Sequence, residues 1–154
     1  MLEKEEFKKL NKGFWVGFQA HMSKTRNSND KRINWVNYRS DVKSIYIRLE
    51  VDGKGARLCF DIQEKDEELR NLIYEQMTEL KVVLEDITVE KPIWAPSFLL
   101  QKRQDISRIY WENNTLNLYK IEDHQKIYEY LRERLIKFDQ FYQEYKEILI
   151  AMVN

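Results

Sequence analysis

IYIRLEVDGKGARLCFDI, residues 45–62, decides the fold. Ile45, Ile47, Leu49 and Val51 alternate with Tyr46, Arg48 and Glu50, and Ala56, Leu58, Phe60 and Ile62 alternate with Arg57, Cys59 and Asp61. Strict period-two alternation marks two half-buried strands. Folding the stretch about Asp52-Gly53-Lys54-Gly55 sets Val51 against Ala56, Leu49 against Leu58, Ile47 against Phe60 and Ile45 against Ile62. The other face then sets Glu50 against Arg57, an opposite-charge cross-strand pair. A slip of one residue would turn the apolar set toward water, so this register tests itself. Positive φ is expected at Gly53 and Gly55, as a tight hairpin turn needs.

The same stretch carries a competing signal. Asp41, followed by Asp52-x-Lys54, matches the sparse acid and acid-x-Lys pattern of metal-dependent nucleases. Those enzymes hold a divalent metal on two carboxylates and orient water with the lysine. Here Asp52 and Lys54 lie in a connection, where two side chains are not fixed on one face as they are along a strand. A subtler form uses Glu50, Asp61 and Gln63 on the polar side of the hairpin, without a lysine in the third position. It is the alternative reading, a divergent nuclease of the restriction-endonuclease-like class.

Outward from the hairpin, Phe7, Leu10, Phe14, Phe18 and Met22 recur at three- and four-residue spacing and predict a helix over Glu3–Ser23. Gly13 and Gly17 weaken that helix, so a close backbone approach is expected against them. SKTRNSNDKR is a loop by composition, and INWVNYR is read as a short strand. One middle helix is predicted over Asp66–Glu85, capped by Asp66, with Leu69, Leu72, Ile73, Met77, Leu80, Val83 and Leu84 buried. Pro92 and Pro96 confine EKPIWAPS to extended or edge structure. DISRIYW and LNLYK, flanking Asn113-Asn114, predict a second hairpin. A long helix is predicted from Glu122, with Ile127, Leu131, Leu135, Phe138, Tyr142, Tyr145, Leu149 and Met152 on one stripe. The expected fold is α+β: an antiparallel or mixed sheet of two hairpins, packed by an N-terminal, a middle and a long C-terminal helix. The 154 residues are expected to form one domain, 1–154.

Charge bounds the function. The 26 basic residues balance 26 acidic ones, which argues against a chain built mainly to coat nucleic acid. The balance is uneven along the chain. Lys24–Arg48 holds seven basic and two acidic residues, and Asp61–Glu90 ten acidic and three basic. Arg26, Lys31, Arg32 and Arg39 interleave with Trp35 and Tyr38, the mixture of phosphate contact and base stacking that binds single-stranded nucleic acid. These six are the candidate binding residues; the competing reading makes Trp35 and Tyr38 core aromatics that the cations merely flank. The single cysteine, Cys59, cannot pair within the chain, and MLEKEEFKKL has no apolar signal core, so a cytoplasmic location is expected. No apolar run is long enough for a membrane span. His21 and His124 stand apart without metal-ligand spacing, and no GxGxxG, Walker or GxSxG motif occurs, so neither cofactor nor metal is expected. The last helix outreaches a small sheet, and a homodimer through Tyr142, Tyr145 and Leu149 is expected.

FWVGF, ARLCFDI, LIYEQMTELKVVLE, ISRIYW and YEYLRERLIKFDQFYQEYKEIL, in that order, resemble the bacterial domain-of-unknown-function family numbered 4268 over nearly the whole chain. The resemblance implies an accessory role near nucleic-acid processing or defence and supplies no catalytic residues. The expected function is therefore a non-catalytic binding or interaction module, with nucleic acid or a protein as partner.

Overall fold

A computed structural model describes residues 3–101 and 103–154. The order is α1 (Lys4–Met22), β1 (Ile45–Asp52), β2 (Gly55–Ile62), α2 (Glu67–Glu79), α3 (Lys81–Thr88), β3 (Ile93–Leu100), β4 (Gln104–Asn113), a 3-10 turn at Ile121–Asp123 and α4 (His124–Val153). The strands form one antiparallel sheet, ordered β1-β2-β4-β3. The fold is α+β, as expected.

The first hairpin has the register read from its alternation, from Ile45 opposite Ile62 to Val51 opposite Ala56, with Glu50 opposite Arg57. Its turn differs in one respect. Gly55 has φ 149°, but Gly53 is not in the left-handed region. The turn is instead held by the Asp52 side chain, which accepts from the Lys54 N–H at 2.8 Å.

The second hairpin is not the predicted one. β4 pairs with β3, the segment confined by its prolines, and Pro96 lies at a break in register between Ala95 and Phe98 on the sheet edge. Residues 116–120 form no strand. Leu116 and Leu118 are buried and alternate with Asn117 and Tyr119, so a loop pressed onto the core reproduces the period of a strand. The Asn113 side chain accepts from the Thr115 N–H and hydroxyl, which turns the chain out of β4.

The helices cover one face of the sheet. Phe14, Phe18 and Met22 of α1, Ile73 and Met77 of α2, Leu84 of α3 and the α4 stripe from Ile127 to Leu149 close on Ile45, Ile47, Leu58, Phe60, Ile109 and Trp111. The predicted middle helix is two helices, broken at Leu80 (φ −93°, ψ 4°); Asp66 caps the first, accepting from the Glu68 and Leu69 N–H groups. INWVNYR is loop, with no strand partner. The close approach expected at the α1 glycines is a side chain rather than a backbone. The Tyr128 hydroxyl fills the space over Gly17 and donates to the Phe14 carbonyl at 2.8 Å, while Gly13 faces open space. No helix among the described residues is long and apolar enough to cross a membrane.

A Cβ at Gly55 would lie 2.6 Å from the Asn113 carbonyl oxygen, in a backbone conformation that other residues avoid. Gly55→Ala is therefore expected to destabilise the fold by about 1–3 kcal/mol in a denaturant titration. Gly53→Ala presses only on the movable Tyr119 ring, at 3.2 Å, with Asn117 Oδ1 at an ordinary 3.8 Å, and is expected to cost less, and Lys54→Ala to leave the midpoint unchanged.

Candidate functional site

The sheet face away from the helices carries the polar half of each alternating strand. The register brings together Glu50 of β1, Arg57 and Asp61 of β2, and Arg108 of β4. Arg108 is almost fully buried. Its Nε and Nη2 donate to the two oxygens of Asp61 at 2.7 and 2.9 Å, and its Nη1 and Nη2 donate to Glu50 at 3.2 and 3.1 Å. The Phe98 ring lies 4.3 Å from the guanidinium carbon and closes the network from β3. Arg57 adds a second cation, donating to Glu50 at 3.1 Å and to Asp52.

Burial tends to raise the Glu50 carboxyl, but Arg108 and Arg57 outweigh it and hold the group below its ordinary 4.5. For Asp61, burial pushes the carboxyl up against the pull of Arg108. Cys59 lies beneath this network, 3.9 Å from Glu50, and burial raises its thiol well above the ordinary range. It is kept as the thiol and is not a nucleophile.

Two of the three carboxylate-site candidates therefore meet, with a guanidinium between them. Gln63 falls one residue beyond β2. Its N–H donates to the Ser44 carbonyl at 2.7 Å, and its buried amide nitrogen has no hydrogen-bond partner among the described residues. Among those residues no three of His, Cys, Asp and Glu cluster as a cation site would require.

The basic segment divides. Trp35 and Tyr38 are core residues. The Trp35 indole donates to the Thr25 carbonyl at 2.9 Å, and the Tyr38 hydroxyl donates to Asp139 Oδ1 at 2.6 Å. Asp139, buried in α4, also accepts from the Ser28 N–H at 2.7 Å and the Gln143 amide at 3.3 Å, which ties the loop before β1 to the helix. Burial first, and then Asp139, push the Tyr38 hydroxyl far up, so it stays a donor. Sequence reasoning missed Asp139. A lone acid between apolar stripe residues was the available signal, since such a residue needs donors when buried.

The cations remain outside. Lys31, Arg32 and Arg39 are exposed and line a recess of about 470 Å³ with Lys146 and Gln143 of α4. Arg26 lies apart, engaged with Asp30. A second groove, of about 810 Å³, shares Asn37, Tyr38, Arg39 and Asp41 with the first and follows β1 past Lys43 and Arg48 to Glu50. The acids on this rim are already paired: Asp41 holds Lys146 at 2.9 Å, and Glu50 holds Arg57 and Arg108.

The stripe expected to form a dimer is occupied within its own chain. Tyr142 is fully buried and donates to the Ser40 carbonyl at 2.6 Å, and Leu149 is equally enclosed. Tyr145 is half-buried and stacked on Phe141 at 5.1 Å. The helix does not overhang, because the loop before β1 packs beneath its C-terminal half.

The molecule is thus an α+β domain with helices on one sheet face, an arginine–carboxylate network on the other and a basic rim along one edge. The family model described as Domain of unknown function (DUF4268) matches residues 10–146, and the chain belongs to this family. No curated protein and no solved structure matches it.

Arg108→Met would leave Asp61 and Glu50 without their main cation, and a loss of about 3–5 kcal/mol is expected on unfolding. Arg108→Met with Asp61→Leu is expected to recover much of that loss. Because the Glu50 carboxyl is depressed, its stabilisation is present above its unfolded value of 4.5 and is lost as pH falls through the folded value. Denaturant midpoints measured on either side of that value should fall with acid in the parent. Glu50→Gln should start lower and show a shallower fall.

Proposed function

We propose that this domain is a non-catalytic binding module that holds nucleic acid by its phosphate backbone along the basic rim. One observation carries the reading: Lys31, Arg32, Arg39, Lys43 and Arg48 are exposed beside two adjoining recesses whose acids, Asp41 and Glu50, are already neutralised by Lys146, Arg57 and Arg108. A chain of zero net charge repels no polyanion overall, and a cleft lined by one sign of charge concentrates its field. The accessory role near nucleic-acid processing or defence that the family resemblance implies agrees with this reading.

The burial of Trp35 and Tyr38 shapes the mode of binding. With those rings in the core, they supply no base stacking, and phosphate contacts dominate. Binding is then indifferent to base sequence and to strandedness. Catalysis on Glu50, Asp61 and Gln63 is the alternative, and it would require the metal to displace Arg108 from both carboxylates.

Fluorescence anisotropy with labelled oligonucleotides tests the proposal. Affinity is expected to fall with salt at a logarithmic slope of about 0.7 per contacted phosphate for single strands and 0.9 for duplex. Lys31→Ala, Arg32→Ala and Arg39→Ala together should remove two to three contacts, about two units of slope, with the unfolding midpoint unchanged. Arg26→Ala, which loses only a contact to Asp30, should alter the slope little. Absence of binding at low salt would end the reading. Magnesium-dependent cleavage that is lost in Glu50→Gln would replace it with the nuclease alternative.

A further inference from the structure

The two edges of the sheet are unlike. β3 carries Pro96 and a register break between Ala95 and Phe98, both of which blunt an edge against further pairing. β1 has neither: its eight residues hold unbroken register with β2. Asp52 and Gly55 close the hairpin as a pair, so antiparallel alternation directs the N–H and C=O groups of Ile47, Leu49 and Val51 to the open edge. Among the described residues, no backbone or side-chain group outside the sheet bonds to the backbone of residues 46–51. Contacts from outside the sheet bound the free stretch at both ends: the Ser40 hydroxyl donates to Ile45 O at 2.6 Å, and the Leu118 N–H donates to Asp52 O at 3.1 Å. The groove of about 810 Å³ runs along this edge, with Trp15 and Val36 as apolar wall, Arg39 and Lys43 as exposed cations without an ion pair among the described residues, and the half-exposed Arg48, which reaches Asp61 at 4.0 Å.

From this we infer that β1 accepts an extended acidic peptide as a fifth strand. Main-chain hydrogen bonds to Ile47, Leu49 and Val51 would supply affinity, as in other strand additions to a sheet edge. The charge selects the occupant. A second copy of this chain would bring a second set of cations against the first, and its Glu50 is already held by Arg57 and Arg108. An acidic strand meets Arg39 and Lys43 without an acid of this chain competing for them, and Arg48 beside its long contact with Asp61.

The probe is a fluorescein-labelled peptide of alternating glutamate and valine, as long as β1, followed by anisotropy with the full chain. Binding is expected, with a loss of about tenfold or more when one alternating set of its amides is N-methylated and little loss when the other set is. Lys43→Glu with Arg48→Glu should weaken binding by about tenfold, because rim charges now repel the peptide. Lys31→Ala with Arg32→Ala, in the other recess, should leave peptide binding intact even if it abolishes oligonucleotide binding, which separates this inference from the function proposed above. Backbone amides of Ile47, Leu49 and Val51 should gain protection from hydrogen exchange in the complex. The inference is overturned if the peptide does not bind, if N-methylation of either set makes no difference, if oligonucleotide displaces peptide and protects the same amides, or if the free chain already sediments as a dimer joined through β1.

Discussion

Phe138 and Tyr142 lie one turn apart on α4, with their rings stacked at 5.3 Å, and both press against Phe60 at the centre of the sheet. Trp111 meets Phe138 from β4, and Tyr38 meets both rings from the loop before β1. Burying a large aromatic side chain contributes about 2–3 kcal/mol, so this cluster is the main apolar tie between helix layer and sheet. The rest follows from it. α1 closes on α4 through Phe14 and Tyr128, α3 packs along the same helix, and the loop is drawn in by Asp139 beneath the rings. A helix with that many partners in its own chain has little apolar surface left for a second one.

The opposite face obeys a different constraint. The pairing of β2 with β4 puts Arg108 directly opposite Asp61, deep in the sheet, and Glu50 completes the set from β1. A buried guanidinium and two carboxylates add little net stability over apolar residues of the same size, because desolvation offsets their attraction. In the observed register each of these charges meets an opposite one. This pairing decides the chemistry of the face. Carboxylates engaged by a guanidinium are poor ligands for a second cation, and Cys59, enclosed beneath them, stays protonated.

Free charge is thereby displaced to the rim. Within the segment from Lys24 to Arg48, Trp35 and Tyr38 turn inward, the cations turn outward, and the nearby acids Asp41 and Glu50 find partners in α4 and β4. What remains exposed is positive, next to a strand edge with unmatched backbone groups. Both features favour an extended, negatively charged partner. They differ in the atoms that would hold it: side-chain cations for a phosphate backbone, main-chain amides for a peptide.

The hairpin from Ile45 to Ile62 was legible from sequence down to its register, because period-two burial admits one pairing once the turn is placed. The Asp66 cap, α1, α4 and the edge position of the Pro96 segment were legible for equally local reasons. Leu116 and Leu118 misled, since alternating burial arises wherever an extended loop lies on a core, and only the competition between β3 and this loop for the edge of β4 decides which one pairs. The break at Leu80 likewise depends on α2 following the sheet while α3 follows α4. Of the candidate site, the cations lie exposed, and the depth of Trp35 and Tyr38 is set by α4, a hundred residues away in the chain. Arg108 carried no local signal at all. Local sequence determined which residues could form strands and helices and which faces were apolar; which charges meet, which rings are buried and which strand edge stays open were decided by contacts between segments far apart in the chain, which no local pattern encodes.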